Sequence, residues 1–269
     1  MRVVTLVLFS ILVVGMGAGA SAQERSDNAP ARGVEGRWSD PPGTPEDQFC
    51  NAWCTDAGLA RLQALLDDPA NDSRSFLELR AEAADYQRQR YLRPRLTEAA
   101  AKNFPPDPAT DPNFLYCQPS GLGRQPFSRF QLEIARVGGR IEMRYSQWAA
   151  RRIVHMDGRS LPENPPLTRL GYSVGRYEGD TLVIESTGAL PHRAIGPLVD
   201  VSEQLYLVER YTRSPDGTRL WLTATLTDPL TFREPIVLKK VWRWAPDAEI
   251  GNELECERPT EYRTGTGER

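Results

Sequence analysis

The sequence predicts a mainly β protein: an antiparallel up-and-down, lipocalin-like barrel or curved sheet of about 8–9 strands, preceded by a helical segment. Three observations predict this fold. Apolar and polar side chains alternate after Pro126, which is the period of a half-buried strand. Turn sequences such as Ser214-Pro215-Asp216-Gly217 separate the alternating runs. No helical pattern follows each strand pattern, which argues against a doubly wound α/β fold and leaves a β-sandwich as the alternative.

The composition is that of a globular chain. Its 269 residues carry a formal net charge of −3, with 40% hydrophobic and 26% charged residues. These values argue against a disordered protein and against a nucleic-acid partner. A metal site would need the two histidines, His155 and His192, to meet Glu185 or Asp157. We therefore predict no metal and no cofactor.

An apolar run near the start of the chain predicts export. Residues 3–17 are apolar, Arg2 precedes them, and Ala20-Ser21-Ala22 supplies the small residues that signal peptidase recognises. The run is short for a membrane span of about 20 residues. We expect a cleaved signal peptide (1–22), a periplasmic or secreted product, and no membrane span in the remainder. The other expected divisions are a flexible Pro-rich arm (23–48), a helical segment (49–104), the barrel domain (105–260) and a flexible tail (261–269). The alternative for residues 23–48 is an extended arm that wraps around the protein, with Trp38 as its only large anchor.

Export would place the four cysteines in an oxidising compartment, where an even number favours disulfides. A zinc site is the alternative, but one C-x3-C pair and two distant single cysteines fit zinc poorly. Spacing alone does not choose among the possible connectivities. The preferred pairs are Cys117 with Cys256, which would tie the start of the β region to its end, and Cys50 with Cys54.

Helical spacing of apolar residues predicts three helices between the arm and the barrel. Asp72-Ser73 is expected to cap the second of them. The helices are expected at about residues 50–66, 72–90 and 97–103, and a proline-rich loop at 104–126.

The alternating runs define the strands in order. In the clearest run, Leu220, Leu222 and Ala224 face one side, whereas Trp221 and Thr223 face the other. A barrel of this size either fills with side chains or encloses a small ligand, and the ligand would enter at a mouth formed by loops. Strands are expected at 130–134, 141–145, 152–157, 170–177, 181–187, 205–213, 218–227 and 236–244, with a short one at 252–257 and mouth loops at 158–169 and 188–202.

Three segments carry a family resemblance: Asp157-Gly158-Arg159, Gly171–Asp180 and Glu209-Arg210-Tyr211. They resemble the DGR, G-x-S-x-G-R-W-E-G-D-T-L-V and E-R-Y/F motifs of an exported bacterial family of largely uncharacterised β-rich proteins. The resemblance covers residues 96–256 and implies export and a β architecture, without an established chemistry. Two positions depart from the pattern: Tyr177 replaces a Trp, and Val201 stands where a His often precedes Ser-Glu.

The first part of the second motif, Gly171–Gly175, also fits the G-x-S-x-G pattern of a serine hydrolase. In a hydrolase this serine lies at a turn from a strand to a helix. Here the segment lies in a predicted hairpin and no helix follows, so we do not predict a serine hydrolase.

The candidate catalytic residues are His155, Asp157, Tyr145, Tyr172 and His192. His155 and Asp157 lie two residues apart, so in a strand the carboxylate could orient the imidazole as a general base. A tyrosine could donate a proton to a developing oxyanion. The competing interpretation is structural: a histidine at a strand end beside a turn aspartate, and a histidine exposed in a loop.

The candidate substrate-binding residues are Arg210, Glu209, Tyr211, Trp221 and Arg159. Glu209 and Arg210 are neighbours in a hydrophobic strand, so one of them must face the interior, where a charge needs a partner. An inward arginine would bind a carboxylate or phenolate group of an apolar ligand. The aromatic residues of the strands either form the core or line a cavity for an aromatic ligand.

The sequence thus predicts an exported barrel protein that binds a small apolar or aromatic molecule. If the protein is an enzyme, we expect a cofactor-independent acid/base lyase or isomerase. The alternative is a non-enzymatic binding or cell-envelope interaction module that uses the helical residues 50–103 as its contact surface. The oligomeric state does not follow from the sequence.

Overall fold

The computed structural model describes residues 33–40 and 43–251. Its main feature is a closed barrel of nine strands, which confirms the predicted barrel. The barrel strands are β1 (Gly36–Ser39), β2 (Leu132–Val137), β3 (Arg140–Tyr145), β4 (Ala150–His155), β5 (Tyr172–Glu178), β6 (Thr181–Thr187), β9 (Tyr206–Arg213), β10 (Arg219–Thr227) and β11 (Ile236–Trp244), and a separate two-stranded sheet contains β7 (His192–Ala194) and β8 (Val199–Val201). Outside the described residues lie the expected signal peptide (1–22), the first part of the expected arm, the short strand expected at 252–257, Cys256 and the expected tail (261–269).

Around the barrel the strands follow the order β1-β11-β10-β9-β6-β5-β4-β3-β2. Neighbouring strands are antiparallel, except that β4 and β5 run parallel. Parallel neighbours cannot be joined by a tight hairpin. The long loop between them, 156–171, therefore returns the chain to the end of the barrel at which β4 began.

The barrel is closed by β1, which belongs to the segment that the sequence assigned to a flexible arm. Trp38 on β1 is fully buried. It stands opposite Trp244 on β11 and Leu132 on β2, so β1 joins the first and last long strands of the sheet. This strand is not predicted from the sequence, because four residues between proline-rich stretches are too few to show an alternating pattern.

The inward face of the barrel is mostly aliphatic and aromatic. The alternation predicted for β10 is confirmed: Leu220, Leu222 and Ala224 are fully buried in the interior. On the outer face, Trp221 packs against the helical segment. The alternating pattern thus fixes which residues of each strand meet inside.

The helical segment packs on the outside of the barrel, over Val241 of β11. Ser75, rather than the predicted Asp72-Ser73, caps the second long helix, where it forms a capping box with Glu78. Asp72 instead ends a short 3₁₀ helix, Pro69–Asn71. The helices are α1 (Pro45–Phe49), α2 (Asp56–Leu66), α3 (Phe76–Tyr86), continued by a π-helical turn (Gln87–Leu92), α4 (Glu98–Ala101) and α5 (Pro112–Leu115). None of the helices in the described ranges is long and apolar enough to cross a membrane.

A disulfide joins Cys50 and Cys54, which confirms one predicted pair. We call Cys50–Cys54 the disulfide loop. Its backbone continues the sheet along β11: Cys54 and Lys239 exchange two backbone hydrogen bonds of 2.8 Å, and Val241 N donates to Cys50 O. Cys117 is also disulfide-bonded.

Candidate ligand-binding site

Four of the predicted site residues meet on the outside of the barrel. The rings of His155 and Tyr172 stack with 4.9 Å between their centres. Arg159 pairs with Asp157 and donates a hydrogen bond of 3.0 Å to the Tyr172 hydroxyl. The hydrogen bond from Arg159 lowers the pKa of Asp157 to about 2. Asp157 is thus engaged by Arg159 and makes no hydrogen bond to the imidazole of His155 within the described residues.

The second histidine, His192, is buried and both of its ring nitrogens are used. Gly123 N donates to Nε2 at 2.7 Å, so Nδ1 carries the proton and donates to Leu190 O at 2.7 Å. Burial lowers the pKa of His192 to about 4. His192 is therefore a neutral imidazole that links β7 to the loop around Gly123, before β2.

Three further predicted residues, Tyr145, Glu209 and Tyr211, meet inside the barrel. Glu209 faces inward and Arg210 faces outward, as their adjacent positions required. Glu209 accepts hydrogen bonds from the buried Arg152 and, at 2.8 Å, from the Tyr211 hydroxyl. Burial raises the pKa of Tyr145 to about 12. We call this group, together with Arg152, the interior cluster.

The serine of the G-x-S-x-G pattern belongs to the same interior. Ser173 Oγ accepts a hydrogen bond from Arg152 Nε at 3.0 Å and lies 2.9 Å from Ser186 Oγ. Ser186 Oγ in turn accepts from Arg152 Nη2 at 2.6 Å. Ser173 thus supports a buried arginine inside a barrel strand.

The two remaining binding candidates lie on the outer face. Arg210 pairs with Glu178 at 2.8 Å, and both side chains are exposed. Trp221 packs against the helical segment. The predicted site residues therefore do not form one site: four lie together on the outer face, three lie in the interior, and His192, Arg210 and Trp221 each lie elsewhere.

A cavity of about 560 Å³ lies elsewhere, between the helical segment and three loops of the barrel domain. Its apolar walls are aromatic, proline and aliphatic side chains. Its cations are four arginines, and none of its lining residues is acidic. The principal lining residues are Phe49, Ala52, Trp53, Arg80, Ala84, Arg88, Pro105, Pro106, Pro108, Arg124, Phe127, Arg129, Phe130, Gln147, Ile195, Pro197 and Leu198. Neither histidine is among them.

The four arginines differ in how far the protein already engages them. Asp111 binds the buried Arg124 through two contacts of 2.9 and 3.0 Å. Arg88 pairs with an aspartate one helical turn away. Arg80 donates one long hydrogen bond, of 3.4 Å. Arg129 is exposed and has no hydrogen bond or ion pair with any of the described residues. Arg129 is therefore the guanidinium group most available to a ligand.

Backbone strain and unpaired polar atoms lie beside the cavity. Trp148 and Ala149, which follow the lining residue Gln147, have φ angles of 64° and 46°. This left-handed region costs about 1–3 kcal/mol for residues other than glycine. The indole nitrogen of Trp148, Ser146 Oγ and Gln125 Oε1 are buried without a hydrogen-bond partner in the part of the chain that the structure describes. Such features concentrate at functional sites.

Sequence reasoning missed this cavity, because its walls come from segments that are far apart in the chain. The sequence signal nearest to it is Phe127-Ser128-Arg129-Phe130, an arginine between aromatic residues. Across residues 33–40 and 43–251, no three His, Cys, Asp or Glu side chains lie close enough to hold a metal ion. No protein-family model and no curated protein matches the chain.

Proposed function

We propose that this protein binds a small apolar or aromatic molecule that carries a carboxylate or a similar acidic group, and that the cavity is its binding site. The observation that carries the proposal is the composition of the cavity wall: aromatic and proline surface, four arginines and no acidic residue. A volume of about 560 Å³ lies within the range of small-molecule sites.

The chemistry of the cavity wall suits both the apolar ring and the acidic group of such a ligand. Phe127, Phe130 and Trp53 offer apolar surface to an aromatic ring. Guanidinium groups recognise planar carboxylates by paired hydrogen bonds, and Arg129 is available to do so. Since the histidines do not line the cavity, the proposal is binding rather than histidine-dependent acid/base catalysis.

We propose in addition that binding takes place after export to the periplasm or the exterior. The support is the signal-peptide pattern of residues 1–22, together with the disulfide between Cys50 and Cys54. Structural disulfides persist in oxidising compartments and are rare in the cytosol.

The test is a titration of the purified protein with a matched pair of ligands, 2-naphthoate and 2-naphthamide. The two molecules have the same ring system and differ in charge. Isothermal titration calorimetry should show that the carboxylate binds roughly tenfold more tightly than the amide, or better. Equal affinity for both ligands, or no binding of either, would contradict the proposal.

A further inference from the structure

A buried amine lies behind the cavity wall. Lys240, one of only three lysines in the chain, faces the barrel interior and is fully buried. Its Nζ donates to the backbone oxygen of Asn51 and lies 4.4 Å from the ring centre of Trp242. The Asp40 carboxylate is 4.0 Å away, which is too far for a hydrogen bond. An ammonium group buried without a close counter-ion is unfavourable, so this lysine is a candidate functional residue.

Asn51 connects the amine to the cavity. It belongs to the disulfide loop, in which its neighbours Ala52 and Trp53 line the cavity. Its side-chain oxygen accepts the 3.4 Å hydrogen bond from Arg80, which also lines the cavity. Asn51 therefore accepts hydrogen bonds from both Lys240, which lies behind the cavity wall, and Arg80, which forms part of the wall.

Arg129 acts electrostatically on this whole group. Burial, opposed by Asp40 and reinforced by Arg129, lowers the pKa of Lys240 to about 7. Burial and Arg129 also lower the pKa of Arg80. Asp40 is the only carboxylate that acts on Lys240 among the described residues, whereas Arg129 repels both Lys240 and Arg80. An anion bound at Arg129 would relieve this repulsion.

We infer that Lys240 is the inner cation of the anion site, and that a carboxylate ligand at Arg129 draws a proton onto Lys240 as it binds. The inference rests on the proposed function and adds the coupling of ligand binding to protonation. The amine takes the proton from solvent, and no covalent bond forms or breaks. The groups that face Lys240 are Asp40 after β1, the Asn51 carbonyl of the disulfide loop, Trp242 on β11 and, at longer range, Arg129 before β2.

The direction of the coupling follows from the two protonation states. Below about pH 7, Lys240 is already charged in the free protein, so affinity should not change with pH. Above that pH, binding has to recruit a proton, and the dissociation constant should rise by up to about tenfold per pH unit. The ligand does not contribute, because an aromatic carboxylate is ionised throughout this range.

The experiment is a calorimetric titration of the full chain with 2-naphthoate between about pH 6.5 and pH 9. At about pH 8 it is repeated in two buffers of different ionisation enthalpy, which gives the number of protons taken up. The variants are Lys240→Met and, as a control, Lys239→Met, whose lysine pairs with Asp56 on the outer face.

Wild type and Lys239→Met should take up close to one proton per ligand, whereas Lys240→Met should take up none and should bind more weakly at low pH. The inference would be overturned if the affinity of the wild type did not depend on pH. It would also be overturned if the dissociation constant of Lys240→Met changed with pH as steeply as that of the wild type. If Lys240→Met does not fold, the buffer dependence of the wild type decides alone. Absence of 2-naphthoate binding at every pH would instead refute the proposed function.

Discussion

Arg152 on β4 and Glu209 on β9 form an ion pair inside the barrel, with side chains that are 2% and 0% exposed. The two strands are not neighbours, because β5 and β6 lie between them. Ser173 and Ser186, one from each intervening strand, accept hydrogen bonds from the same guanidinium group. Four adjacent strands thus each contribute at least one polar residue to a buried network.

Removing one partner of this pair should destabilise the barrel strongly. Glu209→Leu leaves the Arg152 charge buried and uncompensated, which costs about 3–5 kcal/mol. The double variant Arg152→Met/Glu209→Leu should be more stable than Glu209→Leu, because neither charge is then buried. Urea denaturation gives the free energy of unfolding of the wild type and of both variants. Arg210→Met, which removes the exposed ion pair with Glu178, is the control and should change this free energy little. A double variant less stable than Glu209→Leu would contradict this interpretation.

One member of this network follows from the sequence, and the others do not. The alternation along β9 requires either Glu209 or Arg210 to face inward and to find a partner. Its partner, Arg152, is 57 residues away in the chain. Only the order of strands around the barrel brings the two together, and local periodicity does not specify that order.

The cavity is less accessible to sequence reasoning than the barrel. The alternation of apolar and polar residues within one segment is enough to predict a strand. This cavity, in contrast, forms only where the disulfide loop, α3 and three separate loops meet. Two of the missed residues, Arg129 and Lys240, lie 111 positions apart in the numbering. The Cys50–Cys54 disulfide could be predicted from the sequence, because the two cysteines are only four positions apart in the chain.

Acid should destabilise the protein through His192. Its pKa is lowered to about 4 in the folded chain, below its ordinary value of 6.5, so folding favours the neutral ring. The stabilising contribution is complete above about pH 6.5 and is lost as the pH falls toward 4, with a slope of up to about 1.4 kcal/mol per pH unit. Urea denaturation at several pH values should show a shallower slope for His192→Gln than for wild type. His155→Gln, on the outer face, is the control, and an equal slope in all three proteins would argue against this role.

The disulfide loop should support both stability and binding. A bridge across so short a loop contributes about 2 kcal/mol in the chain-entropy model. Phe49, Ala52 and Trp53, in or beside this loop, line the cavity. The double variant Cys50→Ala/Cys54→Ala should therefore lose stability in urea denaturation and also bind 2-naphthoate more weakly. Unchanged affinity in a folded double variant would show that the loop does not shape the site.

A bulkier residue at Gly121 should disturb the position of His192. A Cβ atom built on Gly121 would lie 2.3 Å from the imidazole Cγ, too close for the ring to stay in place. Gly121→Ala should lower the free energy of unfolding, whereas Gly139→Ala, at an open turn, should change it little. Differential scanning calorimetry measures both variants. A Gly121→Ala protein as stable as the Gly139→Ala control would show that the ring can move without loss.

The most direct test of the central claim compares 2-naphthoate and 2-naphthamide binding to wild type, Arg129→Met and Arg210→Met by calorimetry. Arg129 lines the cavity, whereas Arg210 pairs with Glu178 on the outer face. Wild type and Arg210→Met should prefer the carboxylate by roughly tenfold or more, and Arg129→Met should lose most of that preference while its affinity for the amide stays the same. An Arg129→Met variant that still prefers the carboxylate as strongly as wild type does would contradict the assignment of this cavity as an anion-binding site.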